Sequence, residues 1–570
     1  MKKELKLYDV PRINSIQEMV INSAKNYGPK LALEDLNDTP INKVTFRELQ
    51  ENILKFGSAL KELGLKERAH IAIIGENRVQ WALAFLTSMS FNYVAVPIDK
   101  NLTKNEIQNI IHESDAEAII FSGSYSSMMA EGRNFLKTLK YYICMDETGE
   151  DKEFYKMADL IRNAKSIHAE DLPVINPDDL AEIIFTSGSL GRAKGVMLSQ
   201  RNLASNLMDM VSMVKIDNHD RFLSVLPMHH TYECTCGMLC PLYTGASVHF
   251  ARSLKTVVDD LQKVKATILL GVPLLYDKMF KRVMKGIRDD KVKSVIVPPL
   301  VKLTNLFSLV GLKDVKKKIF HKLHEKFGGS VRLFIAGGAA PDPMVAKGLR
   351  EFGFSFIQGY GLTETSPILA LNRTDAFKDD AAGLPLPHVQ IKINNPDENG
   401  RGEIWAKAPS VMLGYYKNEK ATENTFENSW FKTGDIGFID EDGFLHINGR
   451  KKNVIISKNG KNVFPEEIED ILNRSPFILE CLILGEEDSK QGEIISAQIV
   501  VDAEAFIELS ETNQIQINDE LLQRTISGEI EKTNKQLAMH KQIKKFSIRE
   551  NEFEKTTTQK IKRYLVKNDD

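Results

Sequence analysis

The segment Phe46-Arg-Glu-Leu-Gln-Glu-Asn-Ile-Leu-Lys-Phe-Gly-Ser-Ala-Leu-Lys-Glu-Leu63, followed after a short connection by His70-Ile-Ala-Ile-Ile74, sets the fold class. Its first part is apolar at helical period, through Phe46, Leu49, Ile53, Phe56, Leu60 and Leu63. Its second part is a short, nearly continuous apolar run, the pattern of a strand covered on both faces. Further runs of that kind stand at Ala118–Phe121, Ile183–Phe185 and Thr267–Leu270. Alternation of the two patterns predicts parallel sheets with helices on their faces. The most apolar long stretch, Trp81 to Ile98, contains Ser88, Ser90, Asn92 and Pro97. It reads as a buried helix followed by a strand rather than a membrane span.

From about Gly383 the character changes. Short strand-like pieces are separated by turn clusters such as Asn394-Asn-Pro-Asp-Glu-Asn-Gly400 and Asp440-Glu-Asp-Gly443, which predicts a small antiparallel or barrel-like unit over about 383–448. An α+β region follows to the C-terminus. At 570 residues the chain is too long for one core, and a prior of roughly 150 residues per domain gives about four units.

Apolar residues make up 42% and charged residues 27%, with a net charge of −2, so the overall balance gives no reason to expect nucleic acid as partner. Lysines at the N-terminus are not followed by the apolar run of a secretory signal, so the expectation is a cytoplasmic protein. Five cysteines do not suggest a disulfide framework. Cys234, Cys236 and Cys240 lie close enough to raise a metal reading, but no matching Cys/His pair is near, and buried thiols are expected. Between Lys278 and Lys326, fourteen Lys/Arg face four Asp/Glu, with the largely apolar Val295–Leu312 inside. This is either a solvated helical face or a contact with an anionic membrane surface at the inner face of the membrane.

The strongest chemical signal is Ile183-Ile-Phe-Thr-Ser-Gly-Ser-Leu-Gly-Arg-Ala-Lys-Gly-Val196. An apolar strand runs into a loop of small hydroxyl and glycine residues with one lysine, which suits phosphate: close backbone N–H groups, hydroxyl donors and a positive charge. It is not a Walker loop, because Lys194 is followed by Gly195 rather than Ser or Thr. Gln358-Gly-Tyr-Gly-Leu-Thr-Glu-Thr365 begins like a dinucleotide fingerprint, but Glu364 stands where the third glycine belongs. What remains is a turn offering an aromatic ring, a hydroxyl and a carboxylate. Gly337-Gly-Ala-Ala-Pro341, Trp430-Phe-Lys-Thr-Gly-Asp435 and Lys555-Thr-Thr-Thr-Gln-Lys-Ile-Lys-Arg563 complete the set, each weak alone.

In this order the segments resemble the motif series of the adenylate-forming superfamily, along essentially the whole chain. Leu226-Pro-Met-His-His-Thr-Tyr-Glu233, Gly402-Glu-Ile-Trp405, Gly414-Tyr-Tyr416 and Gly449-Arg-Lys-Lys-Asn453 belong to the same resemblance. The His-Thr-Tyr-Glu variant and the long basic insert look most like long-chain fatty-acid–CoA ligases. The resemblance implies an α/β N-terminal domain over 1–448, made of two sheet-helix subdomains to about 382 and the barrel-like unit. A hinge at 449–453 and a mobile α+β C-terminal domain over 454–570 would follow.

It also implies roles. Thr186, Ser187, Gly188, Ser189, Gly191 and Lys194 would wrap the ATP phosphates. Gly338, Ala339 and Tyr360 would frame the adenine, Gly361 would belong to the same ATP/AMP site, Thr363 would touch the α-phosphate and Glu364 would hold Mg²⁺. Asp435 and Arg450 would bind ribose, and His230 would line the acyl pocket. Lys560 would bridge α-phosphate and carboxylate, Lys452 would be the pivot, and Gly460 would lie on the CoA side. The implied reaction joins a fatty acid to CoA through acyl-AMP, with ATP and CoA as co-substrates and Mg²⁺ as cofactor. An acyl-carrier protein as acceptor (the basic region would suit an acidic one), another carboxylic acid, or a non-catalytic acyl-adenylate binder stay open as alternatives. Leu190 and Ala193 stand where the family commonly has Thr and Pro, and Glu554 and Gln559 where it commonly has Pro and Gly.

Overall fold

The computed structural model describes residues 6–37, 42–133, 136–147, 154–186, 193–309, 314–456, 461–488, 492–556 and 560–566. The first helix of the deciding segment runs Phe46–Leu63, as its periodicity predicts. Thr45 and Glu48 close a reciprocal capping box at its start, which satisfies two backbone donors otherwise left unpaired. Gly64 ends it at φ 104°, a left-handed position that favours glycine. Val79–Ser90 is a helix buried on every side, and the strand Val94–Pro97 after it is equally buried. Burying Trp81, Leu83, Phe85 and Leu86 there stabilises by roughly 1.5–3 kcal/mol each, and so large a gain offsets the burial of Thr87, Ser88 and Ser90. Among the described residues no helix is long and apolar enough to cross a membrane.

The chain forms two compact units, Met1–Ile391 with Ala406–Phe431, and Lys392–Trp405 with Lys432–Asp570. The first holds two large sheets. In the nine-stranded sheet the strands Ser355–Gly361, Leu333–Ala336, Ile268–Gly271, Arg221–Ser224, Ser247–Phe250 and Leu31–Asp35 lie side by side and parallel, with antiparallel strands added at both edges. In the eight-stranded sheet, His70–Ile74 lies parallel between Val94–Pro97 and Ala118–Phe121. Leu180–Thr186 is parallel to Val94–Pro97 but antiparallel to Lys194–Ser199, so a hairpin enters an otherwise parallel array.

In the second unit, Gln390–Asn394, Gly402–Lys407 and Trp430–Ile439 are successive neighbours in one sheet, and Leu445–Arg450 pairs antiparallel with Trp430–Ile439. A three-stranded sheet of Ile478–Asp488, Gly492–Val501 and Lys545–Arg549 follows. Its core gathers Ile468 and Leu472 of the helix Pro465–Leu472 with Ile526 and Ile530 of the helix Asp519–Asn534.

Cys234, Cys236 and Cys240 are buried free thiols, as expected, and burial pushes all three up, Cys240 to about 12. Glu182, in the middle of Leu180–Thr186, was not legible as a special residue. It is 1% exposed, neither carboxyl oxygen has a hydrogen-bond partner among the described residues, and burial raises its pKa from 4.5 to about 8. Between those two values the unfolded chain has lost the proton and the folded chain keeps it. Stability is therefore fully present below about 4.5 and falls as pH rises towards about 8. Glu182→Gln is expected to flatten that decline. Melting temperatures of both proteins across pH 5–8 (roughly the window this linkage spans) check it, and parallel slopes would refute it.

Candidate active site

Ligands in sheets of this kind collect beyond the carboxyl ends of the parallel strands, where loops converge and helix N-termini begin. Leu226–Glu233 follows the strand Arg221–Ser224, Gly337–Pro341 follows Leu333–Ala336, and Tyr360–Glu364 closes Ser355–Gly361. Three segments distant in sequence thus emerge on one edge of one sheet because their strands are parallel.

The hairpin that carries Lys194 is set by backbone pairing. Thr186 and Lys194 are opposite residues of its two strands, and the Thr186 hydroxyl donates to the Lys194 carbonyl at 3.4 Å. Ser187, Gly188, Ser189 and Gly191 lie outside the described residues. Gly195 has to be small, since a Cβ there would meet Ile183 at 2.9 Å and Phe185 at 3.2 Å. On the far side of Lys194–Ser199 lies Gly414–Tyr415, with Tyr415 opposite Val196. That pairing carries the Tyr415 ring to 4.8 Å from the Lys194 ammonium and its hydroxyl to Glu364 Oε1, to which it donates at 2.9 Å. The Met412 N–H also donates to the Glu364 carbonyl, at 2.8 Å. Lys194, Tyr415 and Glu364 are therefore one cluster.

Tyr415 is the member of this cluster that sequence reasoning passed over. Gly414-Tyr-Tyr416 was visible as a motif, but the contact spans 51 positions and depends on strand pairing.

Thr363 opens a short helical turn, Thr363–Thr365, and its hydroxyl accepts from Thr231 at 3.4 Å. The next residue, Tyr232, donates to the Ile335 carbonyl at 3.1 Å and lies under Gly337, where a Cβ would come within 2.6 Å of its ring. Gly338 and Ala339 form the exposed turn above, with Gly338 at φ 85°. The His230 ring lies tilted, 4.2 Å from that of the buried His229, whose Nε2 is 3.3 Å from Asp99 Oδ1. Asp99 follows the strand Val94–Pro97 and also escaped the sequence reading.

The second unit has its own cluster. Asp435 and Arg450 are opposite residues of paired strands and form an ion pair at 2.8 Å, with Asp435 buried and Arg450 half exposed. In the C-terminal loop, Thr556 N–H donates to the Lys560 carbonyl at 2.8 Å, and Lys560 N–H donates to the Thr556 hydroxyl at 3.2 Å. Lys555 pairs with Glu480, Lys562 with Glu554, and Arg563 with Glu469. Lys560 has no carboxylate partner among the described residues. Desolvation of its ammonium lowers its pKa, Arg450 adds to that, and Asp435 opposes it, although the residue as a whole is exposed. Lys452 sits in the turn Lys451–Asn453, and burial, then Arg450, lowers its pKa. Gly460 lies outside the described residues.

A lysine and a hydroxyl on a phosphate-type hairpin, beside an anchored carboxylate at the ends of parallel strands, define a nucleotide-dependent enzyme. The AMP-binding enzyme family matches residues 21–416 and the AMP-binding enzyme C-terminal domain matches 452–569; the chain belongs to this family and is an ATP-using, adenylate-forming ligase. It is 26% identical to the long-chain-fatty-acid–CoA ligase FadD15 of Mycobacterium bovis, across 98% of this chain and 96% of that one. It is 27% identical to the long-chain-fatty-acid–[acyl-carrier-protein] ligase AEE15 of Arabidopsis thaliana, across 83% and 75%. Its fold is that of the anthranilate CoA ligase AuaEII in complex with anthranoyl-AMP, with a TM-score of 0.78 at 21% identity over 98% of both chains. O-succinylbenzoate coenzyme A synthetase of Bacillus subtilis, in complex with ATP and magnesium ion, shares it at a TM-score of 0.73, 22% identity and coverage of 96% and 99%.

Tyr415→Phe removes a donor to a charged group, an interaction worth roughly 1.5–3 kcal/mol. ATP-dependent pyrophosphate release is expected to slow by about 10- to 100-fold with little change in melting temperature. Unaltered release would separate Tyr415 from the function of Glu364.

Proposed function

We propose that the chain is a long-chain fatty-acid–CoA ligase, which activates a fatty acid to acyl-AMP and passes the acyl group to the thiol of CoA. The observation that carries the reading is the Lys194–Tyr415–Glu364 cluster in a chain that aligns nearly end to end with a long-chain-fatty-acid–CoA ligase.

A carboxylate cannot expel oxide, so its oxygen attacks the α-phosphorus of ATP and pyrophosphate leaves. Catalysis of such a step is positioning and charge stabilisation. Thr186, the loop 187–191 and Lys194 take the leaving phosphates, and Thr363 donates to the α-phosphate. Gly338, Ala339 and Tyr360 frame the adenine, where a bare backbone lets a flat base approach, and Gly361 belongs to the same nucleotide site. Asp435 accepts from ribose hydroxyls with Arg450 beside it, and His230 lines the acyl pocket. Lys560 carries the charge between carboxylate and α-phosphate.

Glu364 fits Mg²⁺: one oxygen is fixed by Tyr415, the other has no partner among the described residues, and magnesium favours one or two carboxylate oxygens together with water and phosphate. Bound there, the ion would neutralise phosphate charge. For thioester formation Lys560 has to withdraw, and we assign the pivot to Lys452 within 449–453 and the CoA side to the loop containing Gly460. On this reading the domain limits are 1–448, 449–453 and 454–570.

Pyrophosphate release with carboxylates from acetate to stearate, with and without CoA, tests the proposal. Preference for long chains with acyl-CoA as product is expected. Preference for a short or aromatic acid, or product only with acyl-carrier protein, would replace it. The second outcome has its own support in the similarity to AEE15.

A further inference from the structure

Within the basic insert, the helix Lys291–Leu309 is amphipathic in an unusual sense. Val297, Leu300 and Val301 pack against the core beside the nine-stranded sheet. Val292, Val295, Ile296, Leu303 and Leu306 are instead exposed, at 64%, 72%, 53%, 47% and 59%. At helical spacing these five, with exposed Pro299, fall within an arc of about 100°, and Lys291 and Lys302 border one side of it. Single exposed aliphatics are ordinary, but an aligned row of this length marks a surface that meets something apolar. The charges around it are of one sign. Lys278, Lys281, Arg282, Lys285, Arg288, Lys291, Lys293 and Lys302 are all exposed. The nearby acids Asp289 and Asp290 are paired with Arg288 and Lys293.

We infer that this face docks on an anionic lipid bilayer, with Val295, Ile296 and Leu303 entering the headgroup boundary and the lysines meeting lipid phosphates. A helix lying in the interface needs this combination of an apolar stripe and basic flanks. An acidic protein would complement the charges but would leave the aliphatic row without a partner. The basic insert continues beyond this helix with Lys313, Lys316, Lys317 and Lys318. Lys313 lies outside the described residues, and Lys316 is half-buried, donating to Asn305 Oδ1 at 2.6 Å and to the Arg350 carbonyl at 3.3 Å. Lys316 therefore holds the fold together; Lys317 and Lys318 are exposed, and the charges beside the aliphatic row are those of the helices Pro273–Arg288 and Lys291–Leu309. The inference does not depend on which carboxylate the enzyme activates.

The test is co-sedimentation of the full chain with phosphatidylcholine vesicles, with and without phosphatidylglycerol, at low and high salt. Binding to the anionic vesicles at low salt, and its loss at high salt, is expected. Lys291→Glu with Lys302→Glu, and separately Ile296→Ser with Leu303→Ser, should each lower that binding by more than about tenfold. ATP-dependent activation of a soluble short carboxylate should be unchanged by either pair, if the parent protein accepts one. All five native cysteines are buried, so Val295→Cys can carry an environment-sensitive fluorophore whose emission shifts to the blue on anionic vesicles. That readout holds even if a double variant fails to fold. Three results would overturn the inference: no anionic-vesicle binding at low salt, binding that the serine pair leaves intact, or lipid-free dimerisation abolished by the serine pair. The last would assign the face to a second copy of the chain, and binding to an acidic carrier protein in place of vesicles would assign it to that partner.

Discussion

Lys560→Ala is expected to lower pyrophosphate release by about 10²–10³, the effect of losing one preorganised donor worth roughly 3–4 kcal/mol, while acyl-AMP supplied from outside is still converted to thioester. The expectation rests on which cations of the C-terminal loop are available. Lys555, Lys562 and Arg563 each face a glutamate, so none can move to an incoming phosphate without abandoning a pair. Lys560 has no such tie among the described residues, and desolvation with Arg450 nearby disfavours its charged form. An anion arriving beside it favours that form, so substrate binding and protonation of this lysine reinforce each other. Thioester formation needs no cation at the α-phosphate, because that bond already exists in acyl-AMP. The two half-reactions are measured separately, as pyrophosphate exchange and as thioester yield from synthetic acyl-AMP. Equal loss in both would remove the assigned role, and a fall in melting temperature matching the activity loss would make the effect structural.

Much of the fold could be read from local pattern because local pattern decided it. Phe46–Leu63 is helical with its own cap signals, and Trp81 to Ile98 is the buried helix and strand that its serines and proline implied. The motif order placed Lys194, Thr363 and Glu364 in one unit: Thr363 and Glu364 follow a parallel strand of one sheet, Lys194 stands on the antiparallel hairpin of the other, and Tyr415 links the two. Contacts made by tertiary pairing were not legible. Tyr415 reaches Glu364 only because Gly414–Tyr415 adds to the hairpin strand. Glu182 looks like any acid in an amphipathic run until two sheet neighbours bury it. Val295–Leu312 could have been core or surface, and the answer differs by residue: Val297 and Val301 are packed while Val295 and Leu303 are not. Composition reports how apolar a helix is, whereas the neighbours it meets determine which of its faces is covered.

Gly361→Ala is expected to cost more than about 3 kcal/mol of stability and to reduce pyrophosphate release by on the order of 10² or more. Gly361 is paired with Ile368 in the antiparallel return from the strand Ser355–Gly361. A Cβ at this position would lie 1.7 Å from the Pro367 carbonyl oxygen, 2.6 Å from its carbon and 2.9 Å from the Ile368 Cα. All three are backbone atoms, so no rotamer change relieves the overlap. The two segments would have to part by more than about 1 Å to restore ordinary contact, and interiors packed to crystal density resist such an opening. The displacement would fall on Tyr360 before the glycine and on Leu362, whose N–H donates to the Pro367 carbonyl at 3.0 Å. Thr363 and Glu364 come next, and the carboxylate would be drawn away from the Tyr415 hydroxyl. Gly359→Ala is the control from the same strand. Its added Cβ would meet the Leu371 side chain at 3.0 Å and the Ala370 carbonyl at 3.3 Å, contacts that a small shift accommodates. Thermal unfolding and pyrophosphate release of the two variants should therefore separate clearly, with Gly361→Ala far more impaired in both. Equal, mild effects would mean that the strand return is soft, and that the position of Glu364 does not depend on the close approach at Gly361.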